Sequence, residues 1–234
     1  MPDHAKLDLH LPEMAVFPFL GDKIDRFAKN NECVEVSFFE SATKMYSIYI
    51  TKHKGQDICL CQAPVGAAAA AQILDWLIGY GVRKIISAGS CGALEDFPEN
   101  TFLIPNKALR DEGTSYHYAS PSRYININPH AVSAIKEALS ENGLKFNEVT
   151  TWTTDGFYRE TKEKVMYRRE EGCQVVEMEC SALAACAQMR GAVWGQILFT
   201  ADTLTNIEKY DERGWGKDSF DFALKLCLDA VVKI

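Results

Sequence analysis

The chain has 234 residues, and its composition of 47% hydrophobic and 24% charged residues excludes an intrinsically disordered protein. With 25 Lys and Arg against 32 Asp and Glu, the net charge of −7 excludes a general attraction to nucleic acid or to anionic membranes. This length is sufficient for one large domain with its own hydrophobic core.

The N-terminal segment and the cysteines bear on the cellular compartment. The first residues show no basic stretch followed by an apolar run, and no segment reaches the ~18 consecutive apolar residues that a membrane helix requires. The eight cysteines are scattered along the chain without a C-x-x-C pair. We therefore expect reduced thiols in a cytoplasmic protein, with no metal site and no cofactor.

Hydrophobic patterning predicts alternating strands and helices. In the first half, strands are predicted at 15–20, 34–39, 45–51, 57–62 and 84–88, and helices at 22–30 and 66–80. In the second half, strands are predicted at 102–105, 149–153, 174–177 and 193–201, and helices from Pro129 to Gly143, at 159–171, 180–190 and 220–231. Such alternation indicates one α/β domain over residues 1–234, with helices packed on a mixed or largely parallel sheet. Sites in such sheets form where strands end.

Small residues follow the predicted strand 84–88. Gly89 and Gly92 permit backbone conformations in which several N–H groups point into one concavity, and Ser90 adds a hydroxyl donor. The segment therefore indicates either an anion-binding nest or a plain tight turn. The turn at Gly21 precedes another predicted helix, whose N-terminus also favours an anion.

Two carboxylates flank Met178 between an apolar strand and an Ala-rich helix. Burying carboxylates is costly unless they have partners. In one interpretation, Glu179 accepts hydrogen bonds from vicinal sugar hydroxyls and Met178 lies against the sugar ring. In the other, Glu179 caps the helix and Glu177 faces solvent.

An acid and an aromatic residue also stand at predicted strand ends. Asp202 ends an apolar strand, where an Asp can have a raised pKa and donate a proton, or can cap a following turn. Phe157 follows another strand, where it either packs in the core or stacks on a flat base.

Taken together, these segments resemble the nucleoside phosphorylase and nucleosidase superfamily. The motifs that carry the resemblance are the Gly21-Asp22 turn, Gly89-Ser-Cys-Gly92, Asp111-Glu-Gly-Thr-Ser115, Asp155-Gly-Phe-Tyr158, Val176-Glu-Met-Glu179 and Ala201-Asp202. The resemblance implies a three-layer α/β/α fold around a mixed, partly barrel-like sheet. It also implies a homodimer, or a hexamer built as a trimer of dimers, in which a neighbouring subunit completes each site.

The resemblance implies roles for single residues. Gly21 and Ser90 would face phosphate, which is a co-substrate. Glu177, Met178 and Glu179 would hold the ribose, together with His4 from the neighbouring subunit. Phe157 would stack near the base, Asp202 would protonate it, and Arg213 lies near the position of an Arg that assists this acid.

The chain departs from the phosphorylase pattern at the phosphate site. Phosphorylases carry arginines where this chain has Ser87 and Asp25, and only Lys44 lies near the place of a third. Without guanidinium groups, phosphate loses its strongest charge-assisted hydrogen bonds. The Gln-x-Arg that reads pyrimidines in uridine phosphorylase is replaced by Thr161-Lys-Glu163, whereas Asp202 favours a purine, whose N7 accepts a proton.

The resemblance therefore predicts an enzyme of nucleoside metabolism and purine salvage that acts on a small nucleoside. Phosphorolysis is the favoured reaction, because the motifs are more similar to those of phosphorylases. Hydrolysis by water and a nucleoside sensor with reduced catalysis are the alternatives, and both are consistent with the missing arginines.

Overall fold

The computed structural model describes residues 7–206 and 208–234, so His4 lies outside the described residues. The strands are β1 Met14–Val16, β2 Val34–Glu40, β3 Met45–His53, β4 Gln56–Cys61, β5 Lys84–Ala93, β6 Phe102–Asp111, β7 Tyr124–Asn126, β8 Asn147–Thr154, β9 Val175–Glu177 and β10 Val193–Thr203. The helices are α1 Lys23–Asn30, α2 Ala67–Gly79, α3 Pro129–Glu141, α4 Lys162–Glu170, α5 Cys180–Met189 and α6 Phe220–Val231. None of these helices is long and apolar enough to cross a membrane.

All of these strands belong to one mixed sheet, in the order β10-β6-β8-β9-β5-β1-β4-β3-β2, with β7 on β6. An additional pairing of β10 with β5 closes β5, β10, β6, β8 and β9 into a ring. Within this barrel, β5 is parallel to β10 and antiparallel to β9. The sheet and the helices packed against it confirm the predicted α/β fold class.

The core lies between the sheet and the helices. Helix α2 packs on α5, α3 packs on α6, and α5, α3 and α6 contact the strands. The largest fully buried side chains include Trp152, Trp194, Phe17 and Phe199. Helix α3 begins as its sequence predicts, because Pro129 occupies the first turn and the Asn128 side chain accepts a hydrogen bond from the backbone N–H of His130.

Residues 89–92 do not form the predicted turn. They continue β5, because Ser90 is paired with Phe199 on β10 and Gly92 with Val176 on β9. The predicted turn is therefore wrong, both as a plain turn and as an anion nest, while the contact of Ser90 with phosphate stays a prediction. The glycine at 92 instead permits close approach: a Cβ there would lie 2.9 Å from Cγ1 of Val176.

Other boundaries also differ from the prediction. Strand β6 reaches Asp111 because β8 pairs along most of its length, and β10 extends through Asp202 to Thr203. Strand β7 was not predicted, and α4 begins at Lys162 rather than at 159. Tertiary pairing decides each of these ends, while the local pattern only marks the apolar centre of an element. The eight cysteines are free thiols, as expected.

Candidate active site

A cavity of about 210 Å³ lies where the ends of β5 and β10 meet β9 and the start of α5. It is smaller than the roughly 300–1,000 Å³ of most small-molecule pockets, so it suits a compact ligand. Its lining residues are Phe19, Val65, Gly89, Ser90, Cys91, Gly92, Phe157, Glu160, Val176, Glu177, Met178, Glu179, Gln196, Asp202 and Trp215. The topology thus brings together Ser90, Phe157, Asp202 and the segment 177–179, as the sequence predicted.

Glu177 is buried, and its carboxylate is occupied by protein donors. Its Oε1 accepts hydrogen bonds from the hydroxyls of Thr153 (2.6 Å) and Thr151 (3.2 Å). Its Oε2 accepts from the backbone N–H groups of Glu179 (2.7 Å) and Cys180 (2.6 Å). The interpretation in which Glu177 faces solvent is therefore wrong. This side chain satisfies the first N–H groups of α5 and holds the segment that carries Met178.

Glu179 reaches Gly66, the residue that precedes α2. Its Oε1 accepts a hydrogen bond of 2.5 Å from the backbone N–H of Gly66. Burial raises the pKa of Glu179 to about 8, with a further contribution from the neighbouring carboxylate of Glu177. The Glu179 side chain makes no capping bond to α5, so the capping interpretation is wrong for this residue too.

A buried network of hydrogen bonds holds the start of α5, directly after residues 177–179. The hydroxyl of Ser181 donates to Oε1 of Glu112 (2.8 Å), and the backbone N–H of Ser181 donates to the Thr153 hydroxyl (3.0 Å). Oε2 of Glu112 accepts from the N–H of Ser115, whose hydroxyl accepts from the buried guanidinium of Arg110. Each hydrogen bond is short and sheltered, so the network restricts how far the start of α5 can move.

Asp202 lies inside β10 and is 5% exposed. Its Oδ2 accepts a hydrogen bond of 3.1 Å from the hydroxyl of Tyr210. Burial raises the pKa of Asp202, and the Tyr210 hydrogen bond and the charge of Arg213 oppose this rise in part. Because the strand continues past Asp202, the turn-capping interpretation is wrong. A buried carboxyl with a raised pKa is suited to donate a proton.

Glu160 is a residue of this cavity that the sequence analysis missed. It precedes α4 and is partly buried, and burial together with the charge of Asp202 raises its pKa to about 8. The local pattern predicts a charged surface helix here, because nothing in it distinguishes Glu160 from the acids that follow. Only the fold brings it near Asp202.

Aromatic side chains border the opening of the cavity. Phe157 is 40% exposed and Trp215 is 37% exposed. Trp215 has φ = 61°, a left-handed conformation that is unusual for a bulky residue. Oε1 of Glu99 holds this loop by accepting from the backbone N–H groups of Gly214 (2.8 Å) and Gly216 (2.9 Å). The place of Trp215 beside the cavity is likewise not predicted by the sequence around it.

Two predicted residues lie outside the cavity lining. Gly21 adopts φ = 61° in its turn but does not line the cavity. Arg213 also lies outside the lining, although its charge acts on Asp202. Its Nη1 is buried and has no hydrogen-bond partner among the described residues.

The charged residues among those described as lining the cavity are all acidic. Four of the described lining residues are acidic and none is Lys, Arg or His, the acids being Glu160, Glu177, Glu179 and Asp202. This agrees with the sequence, which has Ser87 and Asp25 at positions where phosphorylases carry arginine. Within the described part of the chain, an anion in this cavity has to be held by neutral donors.

A larger groove of about 1,170 Å³ lies elsewhere, between α1, α6 and the strands β2 to β4. Most of its charged groups form ion pairs, for example Lys23 with Asp221 (2.7 Å) and Lys52 with Asp57 (2.7 Å). Ion pairs of this kind are ordinary for a protein surface and weakly stabilising. The smaller cavity, with its buried carboxyl groups, is the better candidate for chemistry.

Comparisons with known proteins agree with this geometry. A family model described as "Phosphorylase superfamily" matches residues 13–229. A guanosine phosphorylase from Halorubrum lacusprofundi is 25% identical over 97% of this chain and 95% of its own length. A solved uridine phosphorylase from Vibrio fischeri superimposes with a TM-score of 0.82 at 21% identity, covering 100% of both chains. A solved AMP nucleosidase from Bacteroides thetaiotaomicron has a TM-score of 0.76 at 21% identity, covering 95% of this chain and 88% of its own.

Proposed function

The chain belongs to the phosphorylase superfamily, and from that premise we propose that it cleaves the N-glycosidic bond of a purine nucleoside with phosphate as acceptor. The products are the free base and ribose 1-phosphate. The observation that carries this proposal is the small cavity in which Glu179, Asp202 and Glu160 converge. The family predicted from the motifs is confirmed by the family match; the substrate and the acceptor are part of the proposal.

The sugar is held by the segment 177–179. Glu179 accepts hydrogen bonds from ribose hydroxyls, and Met178 lies against the ring. Glu177 acts as a positioning residue, because its oxygens are already taken by Thr151, Thr153 and the start of α5. A charge-assisted hydrogen bond to a hydroxyl is stronger than a neutral one, so binding of the ribose hydroxyls lowers the pKa of Glu179 from about 8 and favours its carboxylate form.

The leaving group is neutralised by Asp202. As the bond between C1′ and the base breaks, positive charge develops on the sugar and electrons move into the purine. A protonated Asp202 gives its proton to N7, and its burial, which raises its pKa, favours the protonated form. The sugar passes through a transition state that resembles an oxocarbenium ion, as in other glycosidic cleavages.

Glu160 recognises the base through hydrogen bonds. A carboxyl group with a pKa of about 8 is largely protonated at neutral pH. It can then donate to a carbonyl oxygen and accept from an adjacent ring N–H, the pattern that a 6-oxopurine presents at O6 and N1. This favours guanosine and inosine over adenosine, and a guanosine phosphorylase is among the relatives.

A homodimer or hexamer completes the site in this proposal. The cavity opens among exposed apolar side chains, since Val65 is 72% exposed and Phe157 and Trp215 border it. A neighbouring subunit that covers this rim would remove apolar surface from water. It would also bring His4 of the neighbouring subunit to the ribose.

Hydrolysis is the second candidate, and the cation-free lining favours it. Water carries no charge to neutralise, whereas phosphate in this cavity lacks an arginine or lysine from the described lining residues. The rest of the mechanism is unchanged, because in both reactions Glu179 binds the sugar and Asp202 protonates the base.

One experiment separates these reactions. The purified protein is incubated with guanosine, inosine, adenosine and uridine, with and without inorganic phosphate, and the free base is measured. Release of guanine and hypoxanthine only with phosphate supports phosphorolysis, and equal release without phosphate supports hydrolysis. If no base is released under either condition, or uridine is preferred, the proposed function is wrong.

A further inference from the structure

Gln196 is a buried polar residue that lines the cavity and has no function in the mechanism above. It lies on β10, paired with Ser87 on β5, and is 1% exposed. Its Oε1 is buried and has no hydrogen-bond partner among the described residues. Its neighbours are satisfied: the Ser87 hydroxyl accepts from the indole N–H of Trp194 at 3.0 Å.

An amide in this condition destabilises the fold. A buried polar atom without a partner has lost its hydrogen bonds to water and gained none in return. Met has nearly the same shape and fills the same space without that cost. What distinguishes Gln196 is its place on the cavity, where a ligand can supply the missing hydrogen bond.

The amide also has a definite place in the cavity. Its Nε2 lies 3.6 Å from the point that a Cβ on Gly89 would occupy. Gly89 is followed by the exposed hydroxyl of Ser90, which lines the same cavity. Gln196 thus belongs to the Gly89–Ser90 wall of the cavity.

We propose that the side-chain amide of Gln196, together with the Ser90 hydroxyl, binds the oxygen nucleophile of the reaction. This inference rests on the proposed function. A carboxamide provides both a donor and an acceptor, so it can bind a group that carries O–H and oxygen lone pairs. Water and hydrogen phosphate share this chemistry, and neither needs a cation from the lining to form such hydrogen bonds.

The experiment uses the full chain with Gln196→Met and measures the melting temperature Tm, the KM for phosphate, the KM for guanosine and the rate without phosphate. We expect Tm to rise, because an unsatisfied amide is replaced by an apolar side chain. If phosphate is the nucleophile, its KM rises ~10-fold or more and its stabilisation of the protein against heat disappears. If water is the nucleophile, the rate of hydrolysis falls ~10-fold. In both arms the KM for guanosine changes less than ~2-fold.

Gln62→Met is the matched control. Gln62 also has a buried Oε1 without a hydrogen-bond partner among the described residues, but it does not line the cavity. Its substitution should leave phosphate dependence and hydrolysis unchanged. A Gln196→Met protein that melts lower and keeps the wild-type phosphate KM and hydrolysis rate would show a structural role and overturn the proposal.

The two proposals fail in different ways. If the wild type cleaves no nucleoside, the proposed function is wrong, while heat stabilisation by phosphate still tests Gln196. If phosphate stabilises wild type and Gln196→Met equally, or stabilises neither while the hydrolysis rate is the same in both, the assignment of Gln196 is overturned.

Discussion

The hydroxyl of Tyr210 donates a hydrogen bond of 3.1 Å to Oδ2 of Asp202, across the connection that follows β10. The other carboxyl oxygen, Oδ1, lies 3.3 Å from the point that a Cβ on Gly92 would occupy. Because Gly92 lines the cavity, Oδ1 is the oxygen next to the space for a ligand. Tyr210 therefore orients the carboxyl, and in the proposed mechanism Oδ1 is the oxygen that donates the proton.

Tyr210→Phe should lower kcat/KM for guanosine by roughly 10-fold, the effect of one lost hydrogen bond to a carboxyl group. The Tyr210 hydrogen bond lowers the pKa of Asp202, so its removal raises that pKa and keeps the acid protonated to higher pH. The alkaline limb of the pH profile should therefore move to higher pH.

Tyr167→Phe is the control for this prediction, because Tyr167 has a similar exposure and lies outside the cavity lining. A Tyr210→Phe protein with reduced activity and an unmoved alkaline limb would argue against orientation of the acid.

Asp202→Asn should lower kcat/KM for guanosine and inosine by ~10²–10⁴-fold, because proton donation to the base is lost. A nucleoside whose purine is methylated at N7 already carries the positive charge and should be nearly insensitive. The comparison needs kcat/KM for both substrates in folded wild type and variant. Equal losses on the two substrates would remove Asp202 from the mechanism.

The adjacent carboxylates should respond oppositely to the same substitution. Glu179→Gln should lower kcat/KM by ~10–100-fold, because the charge-assisted hydrogen bond to the ribose is lost. The same substitution should raise Tm above pH 8, because it removes a buried carboxylate whose pKa is raised to about 8. Glu177→Gln should lower Tm, since an amide NH₂ would face donors at Thr153 or at the start of α5. Thermal unfolding of both variants tests this; a loss of stability in Glu179→Gln would contradict it.

The stability of the protein should fall as the pH rises from about 5 to 8. The pKa values of Glu160 and Glu179 are raised to about 8 in the folded protein, so the native state holds protons that the unfolded chain has released in this interval. Glu160→Gln should reduce this slope and raise Tm at pH 8 by about 2–4 °C for each ~1 kcal/mol recovered. Melting curves across the interval measure it, and a wild-type Tm that is flat or rising would show that these carboxyl groups are ionised.

Much of the fold could be predicted from local pattern. Helix α3 begins at the predicted place, because Asn128 and Pro129 carry their conformational preferences in any fold. The family was predicted from motifs spread over the chain and is confirmed. Residues 177–179 and Asp202 were singled out because an acid at the end of an apolar strand is unusual in any context.

The sequence by itself determined the alternation of strands and helices, the family, and the acids at the ends of β9 and β10. Only the tertiary structure decided that residues 89–92 are a strand, because that depends on pairing with β9 and β10. It also decided that Glu160 and Gln196 line the cavity and that Tyr210 contacts Asp202. Their side chains carry no local signal, since a pKa, a hydrogen bond or an unsatisfied amide depends on residues that only folding brings into contact.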